Sequence, residues 1–320
     1  MATMGGAPKG YDAAAFGRDS KLFASFARQA DSGMRILGPG SVGETTAPEA
    51  MIHYGSEGVI ATRDMLRQMG NDIDAFSYHH YGAASQRCAG TPGMPQTSAD
   101  AALSEEWLAL TDQTLAFYRT FVTSSSRESR CGLPRPPMPP AAEILGASTF
   151  LDTFRYLDQL GRLAKQDVQV VIHNTLAASD YGLLDQRTLK PRPNYWGALL
   201  WRRLMGTTVL DAGVEIAEGR HVYAYCLRGA PGGVTLLVIN NSRTETAVEM
   251  PLESKRYTLS AEPLQNGAVE LNGAALKVDD GGDLPAIEGA ATAAGSVSFA
   301  PGTITFLGTE RSGNSACRGS

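Results

Sequence analysis

VQVVIHNTLAASDYGLLDQRTLKPRPNYWGALLWRRLMG, spanning Val168–Gly206, is the stretch from which the fold is read. Val168, Val170, Val171 and Ile172 form a short β-branched run, the pattern of a buried strand. The run gives way to His173, Asn174 and Thr175, then to a loop carrying Asp180, Tyr181 and Asp185. A helix is predicted next. Asn194 serves as its N-cap, Tyr195, Leu199, Leu200 and Arg203 follow at helical spacing, and Gly206 closes it. A buried strand that sets polar side chains at its carboxyl end is what an α/β barrel places at its active face. An ordinary βα unit, whose polar residues only satisfy a loop, has the same local pattern.

Upstream the same alternation recurs. Tyr11–Ala30 reads as an amphipathic helix with Ala14, Phe16, Leu22, Phe23, Phe26 and Ala27 on its inward side. Met34–Leu37 is a short strand running into the turn-rich Gly38-Pro39-Gly40-Ser41, and Val59–Met69 is a helix. Asp74–Tyr81, DAFSYHHY, is a strand ending in two histidines and a tyrosine, and Gly82–Thr97 is loop. A helix to Thr120 starts at Ser98 or Ser104, with Trp107, Leu108, Leu110 and Leu115 as its core stripe. Ser148–Lys165 is another, with Phe150, Leu151, Phe154, Leu157, Leu160 and Leu163 inward. Strands alternating with helices predict a parallel α/β domain over 1–206.

Beyond Gly206 the pattern changes. Val209–Leu210, His221–Leu227, Val234–Asn240, Ala247–Met250, Tyr257–Leu259, Leu276–Val278, Ser296–Phe299 and Thr303–Leu307 read as short strands separated by turn residues. That spacing predicts an antiparallel β-sandwich over 207–320, of about a hundred residues. No cluster of titratable side chains in it reads as a site.

The chain's 320 residues, 43% hydrophobic and 19% charged, are the composition of a globular protein with a sizeable core. A net charge of -5 makes no electrostatic case for nucleic acid or an anionic membrane. No apolar run is long enough to cross a bilayer, and MATMGGAPKGYDAAAFGRD has neither the charged nor the apolar region of a signal peptide. Cys88, Cys131, Cys226 and Cys317 include no CxxC pair, which argues against zinc. Their use as disulfides depends on the compartment.

Three stretches carry a family resemblance: DAFSYHHYG, HNTLAASDYGLLD…PNYWGALLWRRLMGTTVL and VELNGAALKVDDGGDLPAIEG. Together they resemble the carboxy-terminal part of glycoside hydrolase family 79, the family of heparanase and the β-glucuronidases, from about Tyr11 to Cys317. The resemblance implies the later part of a (β/α)8 TIM barrel followed by an antiparallel β-sandwich. The barrel strands would be the fifth (Arg35–Gly38), sixth (Asp74–Tyr81) and eighth (Val168–Thr175). Members of the family hydrolyse β-glucuronides with retention. One glutamate, in an Asn-Glu-Pro motif closing the fourth strand, protonates the leaving oxygen; another, in a Glu-Thr motif closing the seventh, attacks the anomeric carbon.

Neither motif stands in its place here. The family's Asn-Glu-Pro lies just ahead of the segment that Met4–Pro8 match, so strands one to four and the acid/base are expected to be missing. Where the seventh strand is required stands FVTSSSRESRCGLPRPPMPPAAEILG, Phe121–Gly146, with five prolines within Pro134–Pro140. No central strand tolerates that. Read one base out of register, the same bases can encode a strand, the Glu-Thr and a following Gly-Gly, the glutamate codon straddling Pro134 and Arg135. A pair of compensating frameshifts is therefore expected to have removed the nucleophile.

The resemblance also implies site residues. The positions of His79 and Tyr81 lie in the family's active site, the tyrosine beside the nucleophile, and those of Asn174 and Tyr181 help to bind the uronic acid. Adjacent histidines on a strand point to opposite faces, so only one of His79 and His80 can enter a barrel, and no third metal ligand is evident. Packing and loop hydrogen bonds are the alternative roles for these residues. Glu44 and Glu143 fall on no family catalytic position. Cys226 and Cys317 match a pair that the family bridges, which implies an extracytoplasmic or secreted parent. Cys88 would have lost its partner, and Cys131 would be a product of the shifted frame. No cofactor is implied; the expected partner is a uronic-acid-containing carbohydrate.

The resulting expectation is a scaffold for hydrolysing uronic-acid glycosides that lacks both carboxylates and is inactive. A non-catalytic carbohydrate-binding or surface-interaction protein and a related barrel glycosidase for neutral sugars are its rivals. A half-barrel would expose strand edges and apolar surface.

Overall fold

The computed structural model describes residues 7–42, 44, 60–80, 98–99, 101–125, 148–173, 175–179, 181–214 and 216–319. Contacts divide the chain into two compact units. The first comprises Met1–Gln96, Leu110–Ala142 and Gln166–Asn174, and the second Thr97–Ala109, Glu143–Lys165 and Thr175–Ser320.

In the first unit the elements are α1 (Ala13–Ala30), β1 (Leu37–Val42), α2 (Thr62–Met69), β2 (Ala75–His79) and, from Leu110 on, α3 (Glu105–Ser125). Asp12 caps α1, its Oδ1 accepting from Ala15 N at 2.8 Å. β1 and β2 are parallel, Leu37 opposite Ala75 and Val42 opposite His79, with a register shift between Pro39 and Ser41. α2 lies between them in sequence, making a βαβ unit. Asp74 pins the strand entry: it accepts from Ile36 N at 2.9 Å and pairs with Arg28 and Arg35 at 3.5 Å. The Ile36 bond, more than the two arginines, holds its carboxyl below the ordinary range. α1 and α2 approach closely because Gly17 has no side chain; a β-carbon there would meet Gln68 Cβ at 2.5 Å.

Four expectations fail here. The strand expected at Val168–Thr175 makes no ladder among the described residues, and Val170 and Ile172 are 40% and 48% exposed. A β-branched run supplies a face to bury but cannot supply its hydrogen-bonding partner. Leu22, Phe23 and Phe26 of α1, expected inward, are exposed; the helix buries Ala27, as expected, together with Gly17 and Ala24. β1 begins at Leu37, where the sequence reading ended it, because the Gly38-Pro39-Gly40-Ser41 turn signal is absorbed by the irregular register. α3 continues to Ser125, beyond Thr120, with Phe121 packed edge-on against Phe117.

The second unit holds α4 (Phe150–Lys165), α5 (Pro193–Leu204), β3 (Met205–Leu210), β4 (Arg220–Leu227), β5 (Val234–Asn240), β6 (Thr246–Met250), β7 (Ser254–Ser260), β8 (Glu270–Leu271), β9 (Ala274–Ala275), β10 (Ala290–Thr292), β11 (Gly295–Phe299) and β12 (Thr303–Thr309). An eight-stranded sheet runs in the order β3-β4-β5-β12-β7-β8-β9, with β10 beside β7, and β6 pairs with β11 separately. Strand alternation sorts residues to two faces. Tyr223, Tyr225, Leu237, Ile239, Ile304 and Phe306 pack with Phe150, Phe154 and Leu157 of α4 and Trp196 and Leu200 of α5. Val222, Val238 and Leu307 pack with Val248, Met250, Val297 and Phe299 of the β6–β11 pair. Cys226 is disulfide-bonded to Cys317, their Cα atoms 5.2 Å apart.

The division does not fall at Gly206. α4 and α5 bury their apolar sides against the sheet and so belong with it. Asn194 is not the N-cap of α5. Arg192 holds that place ahead of Pro193, and Asn194 is buried, donating to Asp152 Oδ2 at 2.7 Å. Gly206 lies in β3, which follows α5 directly, and Leu276–Val278 forms no strand.

Gly161 of α4 rests on Tyr223, where a β-carbon would come within 2.5 Å of the ring. Gly161→Val is expected to lower stability by about 1–3 kcal/mol through overpacking, read as a drop of several degrees in the thermal midpoint. An unchanged midpoint would disprove that contact.

Candidate functional site

The end of β2 carries the expected pair of histidines. Phe76 and Tyr78 turn to α3, their rings 5.8 and 4.7 Å from that of Tyr118. His80 follows them to the same side, is buried, and shares a hydrogen bond with Thr114 at 2.9 Å. His79 points the other way and is half-buried, its Nε2 3.7 Å from where a β-carbon on Gly40 would stand. Burial pushes the His79 imidazole below its ordinary range, so it is neutral near pH 7. A neutral imidazole at a strand end can donate from one nitrogen and accept at the other, as recognition of a sugar hydroxyl requires. Glu44, the nearby carboxylate after β1, is engaged: it accepts from Thr62 N at 3.0 Å and from the Thr62 hydroxyl at the start of α2.

Tyr181 lies in the second unit, half-buried in a tightly bonded loop. Leu183 N donates to Thr175 O at 3.1 Å, and Arg192 N returns to Leu183 O at 2.9 Å. Asp185 accepts from Thr188 N at 2.8 Å and pairs with Arg192 at 3.1 Å, and these bonds hold its carboxyl far below the usual range. Of the four expected binding residues, Tyr81 and Asn174 lie outside the described residues, and His79 and Tyr181 belong to different units.

The second unit also contains what the sequence reading missed, a buried ionic network. Asp158 Oδ1 accepts from the Tyr223 hydroxyl and from His221 Nδ1, both at 2.5 Å, and Asp158 Oδ2 accepts from Arg162 Nε at 2.6 Å. His221 Nε2 reaches Glu105 Oε2 at 2.9 Å, and Glu105 Oε1 also accepts from Gly219 N and Asn241 Nδ2. Beside it, Arg155 binds Asp152 through two bonds of 2.7 and 3.0 Å and Gln159 at 2.8 Å. Residues 207–320 contribute His221 and Tyr223 to this network, while Glu105, Asp158 and Arg162 come from the preceding helices. The D-x-x-R and D-x-x-x-R spacings were the available signal, but they read as solvated helix pairs. His221 and Asp158 are fully enclosed, so the network locks α3, α4 and β4 together rather than meeting a ligand.

A cleft of about 770 Å³ opens elsewhere in the same unit, between the β5–β6 turn, the β7–β8 loop and the β11–β12 turn. Asn241, Arg243, Glu262, Gln265 and Glu270 line it, and no aromatic ring does. Among the described residues no group of His, Cys, Asp and Glu could hold a metal ion, and no helix is long and apolar enough to cross a membrane.

No family model matches the chain. Among curated proteins it is 35% identical over 150 residues to baicalin-beta-D-glucuronidase of Scutellaria baicalensis, covering 44% of this chain and 28% of that protein. It is 29% identical over 252 residues to the heparanase of Gallus gallus, covering 73% and 46%. It is 30% identical over 190 residues to inactive heparanase-2 of Mus musculus, covering 52% and 32%. The chain spans less than half the length of these relatives. Its fold matches that of CelM2, a bifunctional glucanase-xylanase from a metagenome library, with a TM-score of 0.60 at 13% identity, covering 95% of this chain and 61% of that one. The chain thus shares an overall arrangement of mixed helices and sheets with solved glycoside hydrolase structures. It shares sequence with the heparanase and β-glucuronidase family, glycoside hydrolase family 79, over part of that family's length.

The network sets a pH window. Burial pulls the His221 pKa down, but the bonds to Asp158 and Glu105 outweigh it and raise the value from 6.5 to about 9. Its contribution to stability is full below pH 6.5 and is lost as the pH rises through about 9. Burial raises the Glu105 pKa, yet the bonds from His221, Asn241 and Gly219 bring it from 4.5 to about 2. Its contribution is full above pH 4.5 and is lost as the pH falls towards 2. Unfolding midpoints measured across this range are expected to be highest at pH 4.5–6.5 and to fall towards pH 9. His221→Gln is expected to lower the maximum by about 3 kcal/mol and to flatten the alkaline decline; an unaltered decline would show that another group causes it.

Proposed function

We propose that the chain carries the scaffold of a retaining glycosidase for β-linked uronic-acid glycosides and does not itself hydrolyse them. Similarity to a relative named as a β-glucuronidase is the observation that carries the substrate class. The neutral, half-buried His79 at a strand end and the braced loop of Tyr181 suit the binding of sugar hydroxyls. With Tyr81 and Asn174 these form the proposed uronate set.

Retaining hydrolysis needs two carboxyl groups roughly 5 Å apart across the scissile bond. In this reading Phe121–Gly146 stands where the family's Glu-Thr nucleophile is required and lacks that motif. Glu44 is committed to the start of α2 and Glu105 to His221, so neither takes over. In this reading β1, β2 and their helices are the later part of a TIM barrel. The eight-stranded sheet with the β6–β11 pair packed on one face is the sandwich. A non-catalytic carbohydrate-binding role has its own support in the similarity to a relative named inactive heparanase-2. The cleft of the second unit is a poor candidate for that binding, since it offers no aromatic face for a sugar ring.

Purified chain is to be assayed against 4-nitrophenyl β-D-glucuronide and β-D-xyloside, with calorimetric binding of a glucuronic-acid oligosaccharide. No turnover of either glycoside is expected, with oligosaccharide binding about tenfold weaker for His79→Ala. Saturable turnover would overturn the inactivity, and absence of binding would overturn the substrate class. Resequencing the DNA across Phe121–Gly146 tests the frameshift: bases that stand as translated dispose of it.

A further inference from the structure

A second pocket, of about 370 Å³, opens in the second unit where α5 runs into the sheet. Gly308 of β12 forms its floor, with Leu204 and Leu227 beside it. In the sheet register Gly308 stands between Thr235 of β5 and Lys255 of β7. Glycine inside a strand weakens it and calls for a reason. The backbone supplies none, since φ at Gly308 lies outside the left-handed region. Nor does crowding: a β-carbon there would meet only Leu227, at 3.6 and 3.8 Å. What the missing side chain leaves open is the pocket itself, as at a strand position that a ligand approaches closely.

The rim carries charge predominantly of one sign. Lys255 Nζ is bound to Glu310 Oε1 at 2.7 Å, so those two charges are matched. Arg203 and Arg228 are not. Arg228 N donates to Leu204 O at 3.0 Å, and its Nε donates to Met205 O at 3.1 Å. These bonds hold its guanidinium beside the end of α5 and leave both terminal nitrogens without a protein partner among the described residues. Arg203 makes no hydrogen bond or ion pair among the described residues. Arg202, the other cation of that helical turn, lies outside the pocket and offsets the negative end of the helix. Tyr257, on the same side of β7 as Lys255, adds a hydroxyl that makes no hydrogen bond among the described residues. The larger cleft of this unit sets Arg243 against Glu262 and Glu270 and has no such bias.

We propose that this pocket binds a small organic oxyanion: a carboxylate, sulfate ester or phosphate ester on a body no larger than one sugar ring. The anionic head accepts from the terminal nitrogens of Arg203 and Arg228, whose planar forks suit contacts to two oxygens. The body lies over Gly308 against Leu204 and Leu227, and the Tyr257 hydroxyl donates to it. Two cations without a counter-charge repel each other across a partly enclosed space, and an oxyanion between them removes that repulsion. A volume of about 370 Å³ lies at the small end of ligand pockets. The site belongs to the second unit alone and does not rest on His79 or the uronate reading.

An NMR titration of the isotope-labelled chain with glucuronate, glucose 6-sulfate and glucose 6-phosphate tests this, with glucose as the neutral control. Saturable shifts at the Gly308 amide are expected for at least one acidic sugar, and the tightest binder identifies the oxyanion. Glucose is expected to bind at least tenfold more weakly. Arg203→Gln removes no bond of the fold, so the thermal midpoint is expected to hold while affinity falls at least tenfold. Gly308→Val fills the pocket with a residue suited to a strand and is expected to abolish binding. His79→Ala is expected to leave this binding unchanged, which separates it from the proposed uronate set. Four results would overturn the proposal. They are a folded chain that no acidic sugar shifts, glucose bound as tightly as the acidic sugars, affinity that survives both Arg203→Gln and Gly308→Val, and binding that His79→Ala abolishes.

Discussion

Asp158 is the point on which the second unit depends. It sits in a helix whose residues from Phe150 to Gln159 are all buried, so this part of α4 has no solvated side on which to leave its charges. A carboxylate taken out of water is unfavourable by several kcal/mol unless its oxygens are fully bonded. Asp158 meets that condition only when Arg162 stands one turn along the same helix and β4 brings His221 and Tyr223 from across the interface. The neighbouring Asp152 is satisfied in the same manner by Arg155 within α4 and Asn194 from α5. Hydrophobic burial draws α4 onto the sheet but tolerates small slides; the polar contacts do not. A displacement of one residue along α4 would strand a charge in the core. The apolar layer thus supplies the attraction, and the ionic layer fixes the register of α4 against α5 and β4.

This division of labour explains what was legible in the sequence. β4, β5, β6, β11 and β12 are legible to within a residue or two, because β4, β5 and β12, covered on both faces, are written as dense apolar segments between turn residues, and β6 and β11 alternate buried with exposed positions. α2 and α4 were legible from their apolar period. The ionic network was not. Asp152 with Arg155 and Asp158 with Arg162 have the spacing of ordinary surface pairs, and nothing local distinguishes a pair facing water from one facing a second buried layer. Asn194 illustrates the same blindness: its type and place suit a helix cap, yet its amide is needed by a carboxylate 42 positions away. At the candidate site the period-two rule separated His79 from His80 correctly, since it depends on backbone geometry alone. What His79 works with was not readable, because that is set by elements far apart in sequence.

The two units also differ in how far each can be built from its own residues. In the second, antiparallel partners are joined by short turns. β4 reaches β5 through the six residues 228–233, and β11 reaches β12 through the three residues 300–302. Such pairings are closed at little entropic cost, and both faces of the sheet find cover within the unit. In the first unit each parallel pairing requires a crossover, and each crossover helix needs a neighbour on both flanks. α2 has both, α1 on one side and α3 on the other.

α1 shows where that logic leads. Its apolar content would suit a fully packed helix, and sequence alone assigned Leu22, Phe23 and Phe26 to an interior. The structure puts Gly17 and Ala24 there beside the expected Ala27, because small residues allow the close approach to α2 that the βαβ geometry demands. The larger side chains are left on the opposite flank, where they have nothing to pack against among the described residues. An amphipathic pattern predicts that a face is to be buried; it does not say that the burying surface belongs to the same set of elements. For antiparallel sheets the two usually coincide, since hairpins carry their partners with them. For parallel ones they need not, and the same apolar run that reads as core can stand as an uncovered flank.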